Sequence, residues 1–90
     1  MLPIRPTAQF KKDLKRAKRQ NRDLEHVKLV LAKLSKMTSL NPRYKDHKLK
    51  GMWRDFRECH IEPDWLLIYE ADDDTVVLRR TGSHSELFKI

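Results

Sequence analysis

The sequence is short of the residues that staple or anchor a chain. Cys59 is its only cysteine, so no intramolecular disulfide is possible and a reducing cytosol is the natural setting. A lone thiol of this kind reads as a small buried hydrophobe before it reads as a nucleophile. Glycine occurs twice; Gly51 is read as a turn and Gly82 as the end of a strand. No apolar run approaches the roughly 20 residues of a transmembrane helix. The first residues lack the charged-then-apolar pattern of a secretory signal. The expectation is a cytoplasmic protein with no membrane partner. Acidic residues are outnumbered, 13 Asp and Glu against 20 Lys and Arg, for a net charge of +7 and a pI near 9.8. That balance favours a polyanionic partner, whether nucleic acid, an acidic protein or an anionic membrane, and does not choose among them.

What is present fits one small domain, residues 1–90, with a modest core. Met1 to Ile4 reads as an N-terminal strand, at an edge because of Pro3. Thr7 is a candidate cap for a helix in which Phe10, Leu14 and Ala17 form a narrow apolar stripe. The other faces of that helix carry Lys11, Lys12, Lys15, Arg16, Lys18 and Arg19, either a solvated surface or one that faces phosphate. Asn21 to Asp23 breaks the pattern. Leu24, Val27, Val30, Leu31, Leu34 and Met37 then share the broad face of a second helix, expected to end near Thr38 to Asn41 ahead of Pro42. Two helices joined so closely pack antiparallel. Residues 42–53 are irregular. Arg54 to Ile61 reads as a strand, Pro63 forces a turn, and Trp65 to Glu70, apolar on both faces, reads as a central strand. An acidic turn leads to a third strand, Thr75 to Arg80, and the tail brings His84 and Phe88 back to the sheet edge. Helices followed by a meander argue for an α+β fold, with both helices on one face of an antiparallel sheet and the other face partly open.

The chemistry clusters around that meander. If His60 ends one strand, Asp64 opens the next and Arg80 ends the third, hairpin geometry brings all three together, with His47 and His84 near them. Zinc is a weak fit, because no pair of histidines has the close spacing of a metal motif and the arginines repel a cation. A serine triad built on Ser83 or Ser85 lacks a nucleophile elbow. RNA cleavage by the substrate's own 2′-hydroxyl fits better, since it needs a base, an acid and a cation for the crowded phosphorane, and no metal or cofactor. Histidines suit the first two roles. Asp64 is a poor base at its reference pKa of about 3.9, unless its surroundings raise it or it acts by orienting an imidazole. Arg80 suits the phosphate. Trp65, Trp53, Tyr44 and Phe88 are candidate stacking surfaces for bases, with core packing the alternative for Trp65. Lys45 and Arg79 are further candidate RNA contacts.

At these residues the sequence resembles a family. Tyr44-Lys45-Asp46-His47, Leu49-Lys50-Gly51, Trp53, Arg57-Glu58-Cys59-His60, Glu62-Pro63-Asp64-Trp65, Leu67-Ile68-Tyr69, Arg80-Thr81-Gly82-Ser83-His84 and Leu87-Phe88 are, in that order, similar to the YafQ-type toxins of the RelE superfamily. The resemblance implies a microbial-ribonuclease-like fold and a ribosome-dependent endonuclease acting on translated messenger RNA. It implies a cognate acidic antitoxin of ribbon-helix-helix type, through which the pair would reach operator DNA. It carries site roles to His47, His60, Asp64, Trp65, Arg80, His84 and Phe88. On this reading His84 is the general acid, Asp64 serves the base side with His60 or His47, and Arg80 holds the phosphate. Two readings compete: a gyrase-directed, non-catalytic toxin of the ParE-like branch, and a basic RNA- or ribosome-binding module.

Overall fold

The computed structural model describes residues 2–36 and 41–88. Thr7 is extended, and its hydroxyl accepts the amide of Phe10 at 3.1 Å, which starts α1, Ala8–Arg19. This is an ordinary N-cap. Phe10 and Ala17 are buried on one face with Leu14 packed beside them, and the lysines lie outside. Asn21, in the left-handed region at φ 60°, turns the chain, and the Asp23 carboxylate caps α2, Leu24–Ser35. Val27, Val30 and Leu34 are its buried apolar residues. Met37, and most of the expected helix end between Thr38 and Asn41, lie outside the described residues.

The strands are β1 Ile4–Pro6, β2 His47–Lys48, β3 Arg57–Glu62, β4 Trp65–Ala71 and β5 Val76–Gly82. They form one sheet in the order β1-β5-β4-β3-β2. The expected meander is β3-β4-β5, antiparallel throughout. Its first strand starts at Arg57, because residues 51–53 form a 3₁₀ turn that runs on to Phe56, whose amide bonds the Trp53 carbonyl at 2.9 Å. β1 pairs in parallel with β5, so the sheet is mixed. The two helices carry the chain to β2 at the far edge, where it runs against β1, and the three reversals through β3 and β4 bring β5 back parallel to β1.

The helices cover one face, where Trp65, Leu67, Tyr69, Cys59, Ile61, Val76 and Leu78 meet the apolar residues of α1 and α2. The opposite face holds a smaller cluster, in which Leu66, Ile68 and Leu87 are buried against Trp53, Phe56 and Phe88. Burial on both faces is why β4 reads as continuously apolar. Because β1 covers β5 only from Val76 to Leu78, the Thr81 amide and carbonyl face an open edge. α1 fills it: the amide donates to Asp13 and the carbonyl accepts from Arg16, both at 3.2 Å. A helix thus finishes the sheet edge that a strand leaves bare.

Candidate active site

On the face away from α1 and α2, strand register builds two rows. His47 sits opposite Glu58, Glu58 opposite Ile68, and Ile68 opposite Arg80. One step along, His60 sits opposite Leu66, and Leu66 opposite Gly82. The connection from β5 into α3, His84–Phe88, places His84 over the second row. Ring centroids are 6.3 Å apart for His47 and His60 and 5.6 Å for His60 and His84. Three imidazoles remote in sequence therefore form one line.

Each imidazole is held at a nitrogen by oxygen. His84 Nδ1 lies 2.6 Å from an Asp64 oxygen, and the His84 amide donates to the same oxygen at 2.9 Å. Those two bonds, the backbone one first, hold the Asp64 carboxyl below its ordinary range. Asp64 thus stands with His84 and not with His60 or His47. His60 Nε2 lies 3.3 Å from Glu58 Oε1, and His47 Nε2 lies 3.6 Å from that same atom. His47 Nδ1 is 2.5 Å from the Lys45 carbonyl. A carbonyl only accepts, so Nδ1 carries a proton there. Lys45 makes this contact possible from the left-handed region, at φ 50°. Among described hydrogen bonds none engages His60 Nδ1 or His84 Nε2.

The remaining expected residues are placed less simply. Arg80 belongs to the first row, yet its guanidinium donates to Asp13 on α1, through Nε at 2.7 Å and a terminal nitrogen at 3.2 Å. It is 27% exposed, and an arginine has N–H groups left after two bonds. Arg79 is drawn to Glu70 at 3.1 Å and to the Phe56 ring, and it does not join the imidazoles. Phe88 is half-buried and stands edge-on to Trp53, with centroids 5.8 Å apart. Trp65 corrects an expectation: it is 0% exposed within the helix-side core, so its ring packs that core and offers no face to a base. Burial pushes the Cys59 thiol up to about 12, which leaves it unreactive.

Sequence reasoning passed over Glu58, the carboxylate between two of the imidazoles. Its signal was there, since residues two apart in a strand share a face and Glu58 precedes His60 by two. It also passed over Asp13, which α1 buries beneath Arg80, and Asp46, which accepts from the Tyr69 hydroxyl at 2.5 Å and pairs with Arg57 at 3.3 Å. From His60 and His84 a cleft of about 610 Å³ runs along the free edge of β3 towards α2 and the 3₁₀ turn Pro42–Tyr44.

Three imidazoles thus stand in line beside two carboxylates. The model of the bacterial type II toxin–antitoxin toxin YafQ matches residues 2–89. The chain belongs to the YafQ toxin family. The mRNA interferase toxin YafQ of Escherichia coli K12 is 40% identical over 86 residues, which is 94% of each chain. A copper-bound mutant toxin from Helicobacter pylori superposes with a TM-score of 0.93 at 43% identity, covering 98% of this chain and 100% of that one. The YafQ of the E. coli DinJ–YafQ toxin–antitoxin complex superposes with a TM-score of 0.89 at 38% identity, covering 97% of each. Copper belongs to that relative. In this YafQ-family chain no group of three or more His, Cys, Asp or Glu side chains among the described residues is arranged to hold a metal ion.

Proposed function

We propose that this YafQ-family toxin is a ribosome-dependent endoribonuclease that cleaves translated messenger RNA by acid–base catalysis, and so inhibits translation. One observation carries the reading: two imidazoles 5.6 Å apart, each anchored at one nitrogen by a carboxylate, with the other nitrogen left for substrate. His60 takes the 2′-hydroxyl proton at Nδ1. The freed oxygen attacks the adjacent phosphorus, and the bond to the 5′-oxygen breaks as His84 Nε2 delivers a proton to it. The products are a 2′,3′-cyclic phosphate and a 5′-hydroxyl. Acid and base roles of this kind each contribute roughly 10²–10⁴-fold. Asp64 fixes the His84 tautomer and faces the charge that His84 carries as the acid. Glu58 does the same for His60. His47, tied at Nδ1 and close to Glu58 at Nε2, closes one end of the line and holds Glu58 in place. Arg80 presents to the phosphate the N–H groups that Asp13 leaves unused, in the manner of a planar clamp.

The charge agrees with the partners of this reading. A +7 chain takes up polyanionic RNA and is neutralised by an acidic antitoxin; a relative, the YafQ of E. coli, stands in a complex with the antitoxin DinJ. The acidic partner is of ribbon-helix-helix type in this reading, and the toxin acts in the cytoplasm at the ribosomal A site.

The test is His84→Ala, checked for folding by circular dichroism and assayed on translating ribosomes. Cleavage falls by at least 10²-fold. A folded variant that cleaves at the wild-type rate removes His84 from the acid role. Cleavage also persists in excess chelator; its loss, with recovery on adding back a metal, would overturn the metal-free mechanism. Equal toxicity on induction of wild type and His60→Ala would favour a binding mechanism instead.

A further inference from the structure

Two large apolar side chains are exposed among the described residues, Leu29 and Met52. Leu29, at 59% exposure, projects from α2 into the cleft that begins at His60 and His84. Across the cleft, Arg43 lies over the Tyr44 ring, its guanidinium carbon 5.0 Å from the centroid, with one terminal nitrogen 3.1 Å from the Tyr44 hydroxyl. Tyr44 itself packs against the helix-side core. An exposed arginine is thus held over a ring that the core anchors. Lys45 stands beside it on the same wall. The one carboxylate of the wall, Glu62, is occupied by His26 at 2.9 Å.

We propose that this cleft is a subsite for a nucleotide next to the scissile phosphate, its base seated between the Arg43 plane and Leu29 and its phosphate held by Lys45. The inference rests on the ribonuclease reading above. RNA is favoured over an acidic protein segment for three reasons. The cleft shares His60 and His84 with the reacting centre, so a substrate held at one extends into the other. A flat guanidinium stacks with any base, and unpaired bases are the usual targets of such planes. The cleft, about 610 Å³ in volume, is large enough for a nucleotide.

The probe is a trinucleotide RNA with 2′-O-methyl groups throughout, which cannot cleave itself. Binding is followed by amide chemical shifts in the whole toxin. Shifts are expected at Leu29, Arg43, Lys45 and Ile61 together with His60 and His84. Arg43→Ala and Leu29→Asp each weaken binding roughly tenfold with the thermal midpoint unchanged. Arg43→Lys keeps the charge and fails to restore affinity, because the plane is lost. Shifts confined to His60, His84 and their row would overturn the subsite and leave the ribonuclease reading intact. If both substitutions spare trinucleotide binding but weaken association with the antitoxin, the cleft is a protein dock and the proposal fails. A wild-type chain that cleaves RNA yet shows no shift in the cleft excludes the subsite; one that neither binds nor cleaves overturns both readings.

Discussion

Two buried carboxylates, one at each side of the sheet, are satisfied in opposite ways. Asp13 on α1 is 1% exposed and receives donors from four residues: Arg80 twice, the Thr81 amide, Gln9 and Arg16, between 2.7 and 3.5 Å. Glu58 on β3 is 6% exposed and is met by two imidazoles, at 3.3 and 3.6 Å, through the same oxygen. Buried ions are tolerated when surrounded by donors. Asp13 meets that condition with guanidinium, amide and backbone groups that do not change charge near neutral pH. Among the described residues Glu58 has only the two imidazole nitrogens, both on one of its oxygens. The first arrangement locks an edge of the fold, and the second leaves slack beside the line of imidazoles.

The comparison breaks most directly at Asp13. Asp13→Ala strips Arg80 and the Thr81 amide of their acceptor at once. Loss of one partner of a buried pair costs about 3–5 kcal/mol; because Arg80 retains partial access to water, a loss of about 2–3 kcal/mol is expected, read as a lower urea midpoint. Glu58→Gln keeps shape and an acceptor, so the midpoint moves by less than about 1 kcal/mol, while cleavage on ribosomes falls by about 10- to 100-fold, below the cost of losing an acid or base outright. A Glu58→Gln chain that unfolds as early as Asp13→Ala, and cleaves normally while it is folded, would show that both carboxylates serve the fold.

How far these roles were legible differs between the two. The helical stripes, the Thr7 cap, the Pro63 turn and the two-sided burial of β4 are local patterns, and local patterns are written in consecutive residues. Asp13 is not of that kind: in sequence it is the single acid of a basic helix, and its burial depends on β1 ending at Pro6 and exposing the Thr81 edge. The parallel docking of β1 on β5 is equally non-local. The imidazole line was half legible. Counting strands brings His60, Asp64 and Arg80 together with His84 near them; in the structure Asp64 pairs with His84, His60 lies beside them, and the Arg80 guanidinium is turned to Asp13. Glu58 was passed over because an acid after an arginine reads as surface charge, although alternation with His60 already put it on the same face. Trp65 shows the converse. A tryptophan beside a polar turn resembles a stacking surface, but its register opposite Glu62 at the closed end of the hairpin turns the ring into the core.

The smallest expected effect concerns Asp64, which separates anchoring from proton transfer. Its carboxyl is exposed, and the His84 amide and ring hold it below its ordinary value of 3.8. The folded chain therefore releases that proton more readily than the unfolded one. The contribution to stability is in place above about pH 4 and is lost as pH falls through the lowered folded value. Wild type and Asp64→Asn should accordingly differ slightly in thermal midpoint at pH 6 and converge as the pH drops below 4. Near neutral pH the carboxylate stays charged throughout, so it adds no limb to the cleavage profile there. Asp64→Asn should lower the plateau rate, because an amide that presents its nitrogen can favour the wrong His84 tautomer, without creating or removing a limb. A limb in the wild-type profile near pH 4 to 5 that disappears in Asp64→Asn would place the carboxyl among the groups that transfer protons, and would make the pair at this end of the sheet a titrating dyad in place of an anchor and its imidazole.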